Sequence, residues 1–426
     1  MPRSLGSQLG LLRRVRGFRL LFLATLGSGA GTWLALVALQ VDIIERTHSP
    51  EWISALLVAD LLPMFTIGLL VGPLVDRLSR RWIMVASDLV RFGVFCVLPF
   101  TESAAQIVGL AAVAGLATGF FRPAVYAALP NLVEDRELST ANSVLQGIDN
   151  LTWAVGSIVG GALVDVSGPH LAYWINAATF IVSSVLIAQI PQRMLQAGRA
   201  ATRGHLRDLR DGFALVRTSR ALLTVLLAWN VAMLANAAIN VAEPFLAFDA
   251  FKSGRFGLGL LMGCAGLGLA LGALLAGESI ERRGLPRVYG ASLALMAVGV
   301  GAAAAAPNVW LAAVCVVLSG AGNGAAIVCN ALLVQRGAPD YLRGRAFTVL
   351  MASNMAVLTV GMIAASRLTD AVGPRWMWAA AAGLSALSGI VGAGLARGVR
   401  ERRPAVEPEP VPVVEPSVSP ARQRAL

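Results

Sequence analysis

Long apolar runs, separated by short polar connections, recur along the whole chain. Each run holds about twenty mostly apolar residues, which is the length that an α-helix needs to cross the hydrocarbon core of a bilayer. The pattern predicts twelve membrane-spanning helices, numbered here as spans 1 to 12. Their predicted bounds are 18–41, 53–75, 82–100, 106–129, 141–164, 170–190, 221–247, 257–279, 288–306, 309–335, 346–369 and 376–397. Because most connections are short, consecutive spans are expected to be antiparallel neighbours.

The composition agrees with lipid as the main solvent of the chain. Of the 426 residues, 56% are hydrophobic and only 14% are charged, whereas soluble domains carry about 25% charged residues. The first apolar run begins at Phe18 and extends to about Val41. It is longer than the apolar core of a signal peptide, so we interpret it as span 1. The sequence therefore predicts an all-α membrane protein.

The basic residues lie mainly on one side of the predicted membrane. With the N-terminus inside, 28 of the 35 Lys and Arg residues are cytoplasmic, five are outside and two are within spans. The positive-inside rule then predicts both termini in the cytoplasm, in a multi-pass protein of the inner (plasma) membrane. The formal charge of +11 is clustered between apolar runs instead of along a soluble face, which argues against nucleic acid as a partner.

One longer connection divides the chain into two halves. We predict a six-helix bundle at 1–190, a cytoplasmic linker with an amphipathic helix at 191–220, a second six-helix bundle at 221–403 and a disordered cytoplasmic tail at 404–426. A glycine–acid–arginine cluster ends the second span of each half, beginning at Gly72 and at Gly277. A parallel repeat of this kind is typical of transporters in which two pseudo-symmetric bundles rock around a central site.

Several stretches resemble the major facilitator superfamily, and the resemblance covers spans 1 to 12. The stretch 72–81, Gly-Pro-Leu-Val-Asp-Arg-Leu-Ser-Arg-Arg, is similar to its loop motif, with serine where glycine is usual. The stretches 18–24, 120–124 and 335–345 resemble the bacterial drug:proton antiporters that include macrolide and enterobactin exporters. The resemblance implies a transporter whose helices 1, 4, 7 and 10 line a central cavity.

The chain departs from that family pattern at two places. The antiporter motif of span 5 usually has Gly-Pro before a Gly-Gly pair, but here Gly156 and Ser157 precede Gly160 and Gly161. The small face for close helix packing remains although the proline is absent. Many relatives also have an acidic residue in span 1, where this chain has Gly31-Thr32. The usual coupling pattern is therefore missing at both places.

The loop motif itself predicts a gate on the cytoplasmic side. The resemblance places Asp76 near the N-terminal end of helix 11, where the helix dipole stabilises an anion by about 0.3–1 kcal/mol. We expect this contact to latch the two halves shut on the inside. The predicted gating loop comprises Gly72, Asp76, Arg77, Arg80 and Arg81. The alternative is a basic loop that only anchors the protein at the membrane surface.

Ionisable residues within spans cost about 2.5–3.5 kcal/mol each near the bilayer centre and are usually paired or functional. Arg122 and Asp149 lie at similar depth on antiparallel spans 4 and 5, which predicts an ion pair. Asp88 and Arg91 are one helical turn apart, so we interpret them as a structural pair. Asp60 has no cation near it in the sequence. It is either a proton carrier or a neutral acid bound to a backbone carbonyl.

Span 7 carries a polar stripe at helical spacing. Glu243 ends this stripe, and span 10 repeats the pattern with amides. A polar stripe is tolerated when it faces a cavity, although interhelical hydrogen bonds are the alternative explanation. The predicted substrate cavity comprises Trp229, Met233, Asn236, Asn240, Asn323, Asn330 and Arg122.

The sequence contains no Walker A loop, because its only lysine, Lys252, follows Phe251. An ion gradient is then the expected energy source, with Glu243, Asp149 and Asp60, in that order, as candidate proton carriers. We predict a monomeric secondary transporter that couples protons to the efflux of a small amphipathic compound, drug-like or siderophore-like. No cofactor, metal or enzymatic activity is predicted. The alternatives are a facilitator or importer of the same fold and a non-transporting scaffold or sensor.

Overall fold

The computed structural model describes residues 2–70, 79–195 and 213–396 and is helical almost throughout these ranges. A short N-terminal helix, Pro2–Arg14, precedes twelve long helices. The long helices are α1 (Arg16–Thr47), α2 (Pro50–Leu70), α3 (Arg80–Val97), α4 (Ala104–Leu132), α5 (Leu138–Ser167), α6 (Pro169–Ala188), α7 (Arg220–Ala250), α8 (Gly254–Arg283), α9 (Leu285–Ala305), α10 (Val309–Gly337), α11 (Asp340–Val372) and α12 (Pro374–Ala396). Each long helix coincides with the predicted span of the same number.

Eleven of the described helices are long and apolar enough to cross a membrane. The helix α2 is described as far as Leu70, the last residue before the gap in the described ranges at 71–78, and it is not among the eleven. The twelfth membrane crossing therefore remains a prediction. Most helices extend a few residues beyond the predicted spans because a helix continues into the polar headgroup region. The helix α1, for example, has 32 residues, against about twenty for the hydrocarbon core.

The sequence encodes several of the helix ends directly. Ser103 and Gln106 form a capping box at the start of α4, in which the Ser103 hydroxyl accepts a hydrogen bond from the backbone N–H of Gln106. Gly168 and Gly373 end α5 and α11 with φ of +73° and +82°, a conformation that favours glycine. A proline directly follows each of them and begins the next helix. At these two junctions the connection between consecutive long helices is a single glycine.

The packing partners of the helices repeat along the chain. In the first half, α1 packs on α5 and α6, α2 packs on α4, and α3 packs on α4 and α6. In the second half, α7 packs on α11 and α12, α8 packs on α10, and α9 packs on α10 and α12. The second arrangement is the first with each helix number raised by six. The main contacts between the halves are made by α5 with α8 and by α2 with α11.

The α5–α8 contact depends on small residues. A Cβ placed on Gly259 would lie 2.5 Å from the Cα atom of Gly161 and 2.5 Å from the carbonyl oxygen of Ser157. A Cβ on Gly263 would lie 2.6 Å from the carbonyl oxygen of Ala154. At Gly161 and Gly259 the two backbones therefore touch without side chains between them, as small-residue interfaces in membranes permit, while the Ile158 side chain packs against Gly263. We call this contact the glycine seam.

The glycine seam does not continue along the full length of the two helices. Gly147 precedes Ala154 and Gly161 by seven and fourteen residues, so the three lie within about 40° on one face of α5. Gly277 lies on the same face of α8 as Gly259, eighteen residues earlier. A Cβ at Gly147 or at Gly277 would meet no atom within 4 Å. The two helices therefore diverge toward the ends that the basic residues predict to be cytoplasmic.

This geometry predicts opposite effects for one added methyl group at two positions of α8. Gly259→Ala should lower the thermal stability of the purified protein by about 1–3 kcal/mol, because its Cβ overpacks the seam. Gly277→Ala should raise that stability by about 0.5–1 kcal/mol, because alanine is the better helix former and has free space. Thermal unfolding in detergent measures both. Equal shifts in the two variants would contradict the seam.

Candidate functional site

The first half contains a buried ion pair on α3. The guanidinium of Arg91 pairs with the carboxylate of Asp88, which also accepts a hydrogen bond of 2.7 Å from the Ser183 hydroxyl of α6. The Arg91 guanidinium lies between the rings of Phe121 and Phe180, 4.4 Å from each centroid. Both charges are thus compensated, by each other, by a hydroxyl and by two aromatic faces. The predicted Asp88–Arg91 pair is present and joins α3 to α4 and α6.

Asp60 lies in a small cavity beside this pair. The cavity has a volume of about 40 Å³, which is enough for a few water molecules. Among the residues that the structure describes, no side chain forms a hydrogen bond with the Asp60 carboxyl. Arg91 lines the same cavity, so Asp60 has a cation nearby in space although it has none nearby in sequence. The lining comprises Thr32, Leu36, Leu39, Leu56, Asp60, Arg91, Val94, Phe95, Leu98, Ala111, Ala114, Thr118 and Phe180.

The position where relatives carry an acid in span 1 has no room for one here. A Cβ on Gly31 would lie 2.5 Å from the amide oxygen of Asn176 and 2.5 Å from the hydroxyl of Thr179, both on α6. The next residue, Thr32, lies beside the same cavity as the Asp60 carboxyl of α2.

The predicted ion pair between α4 and α5 is present. Nη2 of Arg122 lies 2.5 Å from Oδ2 of Asp149. Their side chains are 46% and 35% exposed, and Tyr126 is exposed beside them. An ion pair this exposed contributes only about 0–1 kcal/mol to stability. Both partners can consequently exchange their contact for another ligand at low cost.

The polar stripe of α7 begins at Trp229, the last residue of one distorted turn, and ends at Glu243, before a second one. Residues Val225–Trp229 and Leu246–Ala250 are π-helical, and Asn230–Phe245 between them is α-helical. π-turns interrupt regular helices mostly at functional positions. No feature of the sequence analysis indicated them.

The members of the stripe have different surroundings. Trp229 is buried in an apolar cluster of second-half helices, and Met233 packs against that cluster. The amide nitrogen of Asn236 donates to the carbonyl oxygen of Ala232 in its own helix, 2.9 Å away. Asn240 is partly exposed. None of these contacts tests substrate binding by the stripe, so that role stays a prediction.

Glu243 is the only carboxyl of the α7 stripe, and its side chain is buried. The residue is 7% exposed and forms no hydrogen bond or ion pair with any residue in the described ranges. Cys264 of α8 lies close enough to interact with its charge. A buried carboxyl without a partner is costly when ionised and much less so when protonated. This side chain is therefore suited to holding a proton.

Amide side chains of the second half have buried atoms that lack partners in the described ranges. They include the side-chain oxygens of Asn230, Asn323 and Asn354 and both polar atoms of the Asn330 side chain. The nitrogen of Asn230 donates to the hydroxyl of Ser353 on α11 at 2.8 Å. Unsatisfied buried amides are rare unless water or a ligand completes them. Asn323 and Asn330 remain candidate cavity residues on these grounds.

Three members of the predicted gating loop, Gly72, Asp76 and Arg77, lie outside the described residues. Of the other two, Arg80 donates from Nη1 to the carbonyl oxygen of Ala127 on α4, 2.6 Å away. Arg81 lies over the ring of Trp82. These contacts hold the start of α3 against its own half, and the predicted latch stays a prediction.

A group of polar contacts between the two halves was not predicted from the sequence. Arg255 of α8 binds both carboxylate oxygens of Glu45 on α1, at 2.6 and 3.0 Å. The partners are 210 residues apart. Arg255 is one of the five basic residues that the positive-inside rule places outside. Acidic residues in the neighbouring outer connections were the only indication in the sequence that it would be paired.

Comparison with known proteins identifies the family. A family model described as transmembrane secretion effector, of the major facilitator type, matches residues 8–422. The chain belongs to this family. It is therefore a membrane transporter of the major facilitator superfamily, a family of transporters and not of enzymes.

Relatives within the superfamily include efflux pumps. The chain is 27% identical over 375 residues to the multidrug efflux pump Tap of Mycolicibacterium fortuitum, covering 83% of this chain and 89% of the relative. It is 23% identical over 381 residues to macrolide efflux protein A of Streptococcus pyogenes, covering 85% and 92%. Among solved structures, it resembles a bacterial homologue of the iron transporter ferroportin in the inward-facing state. That likeness has a TM-score of 0.72, 17% identity, and coverage of 89% of this chain and 98% of the other.

The ion pair on α3 generates a stability prediction for this transporter. Arg91→Gln should lower the yield of folded protein sharply, because removing one partner of a buried pair costs about 3–5 kcal/mol. Asp88→Asn/Arg91→Gln removes both charges and should recover much of that loss. Fluorescence-detected size exclusion and thermal unfolding measure both variants. A single variant as stable as the wild type would show that Asp88 does not need this cation.

Proposed function

We propose that the chain exports small amphipathic compounds, drug-like or siderophore-like, in exchange for protons. Two six-helix bundles, 1–190 and 221–403, alternate in opening a central site to the two sides of the plasma membrane. The linker 191–220 and the tail 404–426 are cytoplasmic in this proposal, as are both termini. The recurrence of the helix-packing arrangement after six helices supports two related bundles. The relatives named as efflux pumps support the direction of transport.

One observation carries proton coupling, namely the buried carboxyl of Glu243 without a partner. At bilayer depth a lone carboxylate costs several kcal/mol, so ionisable residues there are usually functional. With a proton bound, Glu243 is compatible with the closed surroundings that α7 and α8 provide. Without the proton, it requires water or a cation. Loss of the proton therefore favours a state in which this part of α7 is hydrated, and that difference couples proton binding to conformation.

Asp149 and Asp60 are the other candidate proton carriers, and their surroundings suit different steps. Asp149 is partly exposed and paired with Arg122, so a substrate group and a proton can compete for it. Asp60 lies in a small cavity that Arg91 also lines and that has room for water. We place Glu243 first because its carboxyl is buried and lacks any compensating cation in the described ranges.

The candidate cavity residues fit a sizeable compound with both apolar and polar groups. Trp229 and Met233 provide adaptable apolar contacts, which favour breadth over selectivity. The amides of Asn236, Asn240, Asn323 and Asn330 provide donors and acceptors. Arg122 adds attraction for an anionic group once Asp149 is protonated.

Removal of the Glu243 carboxyl should uncouple transport from protons. We expect Glu243→Gln to fold normally, since glutamine resembles the protonated acid, and to lose proton-driven uptake of a hydrophobic dye into energised everted vesicles. Glu278→Gln is the matched control, because Glu278 lies near the end of α8, is exposed and, among the described residues, pairs with Arg282 alone. Unchanged proton-driven uptake in Glu243→Gln would remove Glu243 from the mechanism. Downhill flux alone in the wild type would identify a facilitator.

The Arg122–Asp149 pair predicts opposite effects on anionic substrates. Arg122→Gln should lower export of an anionic dye by about two- to fivefold relative to a neutral dye, as expected for a partly exposed charge pair. Asp149→Asn frees the guanidinium and should raise the same ratio. Export of the two dyes from loaded cells measures it. Parallel changes for both dyes would place Arg122 outside the substrate path.

A further inference from the structure

Within the described residues, two ion pairs and one histidine–carboxylate contact join the first half of the chain to the second half. Glu45 at the end of α1 pairs with Arg255, which begins α8. His48, in the connection after α1, lies 3.4 Å from Asp249 at the end of α7. The third pair, between Glu51 of α2 and Arg367 of α11, has an N···O distance of 3.6 Å. All three lie at the ends that the positive-inside rule predicts to face outward, called the outer ends below.

Arg255 makes the most extensive of these contacts. Its Nε and Nη2 atoms bind the two carboxylate oxygens of Glu45, the forked geometry that arginine forms with carboxylates. Its Nη1 atom donates to the carbonyl oxygen of Val164 on α5, 3.2 Å away. One side chain thus binds α1, α5 and α8 together. We call this arrangement the Arg255 clamp.

The Arg255 clamp lies directly above the glycine seam. Gly259 is one turn below Arg255 on α8, and its partner Gly161 is one turn below Val164 on α5. The faces that meet in the seam diverge toward Gly147 and Gly277, where an added Cβ would meet no atom within 4 Å. Polar contacts and close backbone packing are therefore combined at the outer ends of α5 and α8.

We propose that the Arg255 clamp and the His48–Asp249 and Glu51–Arg367 pairs form the outer gate of the transporter. The described state is closed at the outer ends, and the outward-open state requires all three pairs to break together. This inference rests on the proposed alternation between two bundles but not on protons or on any substrate. Each exposed pair biases the equilibrium by at most about fivefold, and the Glu51–Arg367 pair, with side chains 60% and 83% exposed, by less, so the gate opens reversibly.

The first test measures opening without measuring transport. Cys264 is partly buried on α8, directly after Gly263 of the seam, and becomes the reporter when Cys96, Cys315 and Cys329 are replaced by serine. Intact cells are treated from outside with a membrane-impermeant maleimide. Arg255→Gln should raise the rate of Cys264 labelling by about two- to fivefold, and Glu45→Gln should raise it similarly. Combining Arg255→Gln with Glu51→Gln should raise the rate further.

Two further variants separate the ion pair from a general structural effect. The charge reversal Glu45→Arg/Arg255→Glu should bring labelling most of the way back to the wild-type rate. It cannot restore the bond to the Val164 carbonyl, so the recovery should be partial. Arg375→Gln is the matched control. Arg375 is also at the outer ends, but it donates to the carbonyl oxygens of Ala304 and Ala306 in its own half, so its loss should leave labelling unchanged.

The second test holds the gate shut. In the cysteine-free chain, Glu45→Cys/Arg255→Cys is joined by a short bifunctional thiosulfonate reagent, which should stop dye export until a reductant is added. The same treatment of Ala306→Cys/Arg375→Cys joins two positions of one half and should leave export intact.

Either of two results would overturn the gate. One is wild-type labelling of Cys264 in Arg255→Gln and in its combination with Glu51→Gln. The other is full export by the cross-linked Glu45→Cys/Arg255→Cys protein. Faster labelling together with an absence of proton-driven export would leave the gate intact and refute only the proposed coupling. Unchanged labelling in Arg255→Gln together with loss of proton-driven uptake in Glu243→Gln would refute the gate and leave the proposed coupling intact.

Discussion

Hydrocarbon offers no partner to a polar side chain, and this constraint determines where the charges of the chain are placed. An ionised group at bilayer depth must be paired within the protein, lie in a hydrated space or lose its charge. The first pattern occurs at Asp88–Arg91, where two helices and two aromatic rings surround the pair. Asp60 follows the second pattern beside a small cavity. Glu243 has neither a described partner nor much exposure, so the proton that it can bind becomes its means of compensation.

The same constraint explains why close backbone contact and surface ion pairs supplement the buried apolar cluster that the two halves share. Apolar side chains gain little from leaving lipid, so close approach of small residues and polar contacts contribute more. The glycine seam supplies the first and the outer ion pairs supply the second. Both kinds of contact form without new covalent or metal constraints, which suits an interface that must separate and re-form.

Much of the helical layout was predictable from the sequence, because a span needs a fixed length of apolar residues and leaves a clear pattern. The local pair Asp88–Arg91 followed from its spacing of one turn. The Arg122–Asp149 pair followed from the depth of two antiparallel spans joined by a short connection. In the first case the partners are one turn apart on the same helix, and in the second they lie on consecutive helices. Neither prediction required knowing which distant helices become neighbours.

The contacts that the sequence did not reveal depend on which helices become neighbours and how they are rotated. Arg91 comes close to Asp60 only because α2 and α3 both pack on α4. Glu45 meets Arg255 because α1 and α8 come together at their outer ends. The two π-turns of α7 were not predicted either, although Pro244 stands two residues before the second one. The twelfth crossing by α2 and the latch at Asp76 remain predictions.

The glycine seam has a mechanical consequence. Where two backbones touch without side chains between them, the contact can act as a fulcrum, because little material has to be displaced when the helices tilt. Gly147 is fourteen residues from Gly161, a lever arm of about 21 Å at 1.5 Å per residue. A tilt of about 10° about the seam then moves the far end by about 4 Å, roughly the width of a methyl group. A small tilt of α5 at the seam is thereby amplified into a displacement of several ångströms at its far end.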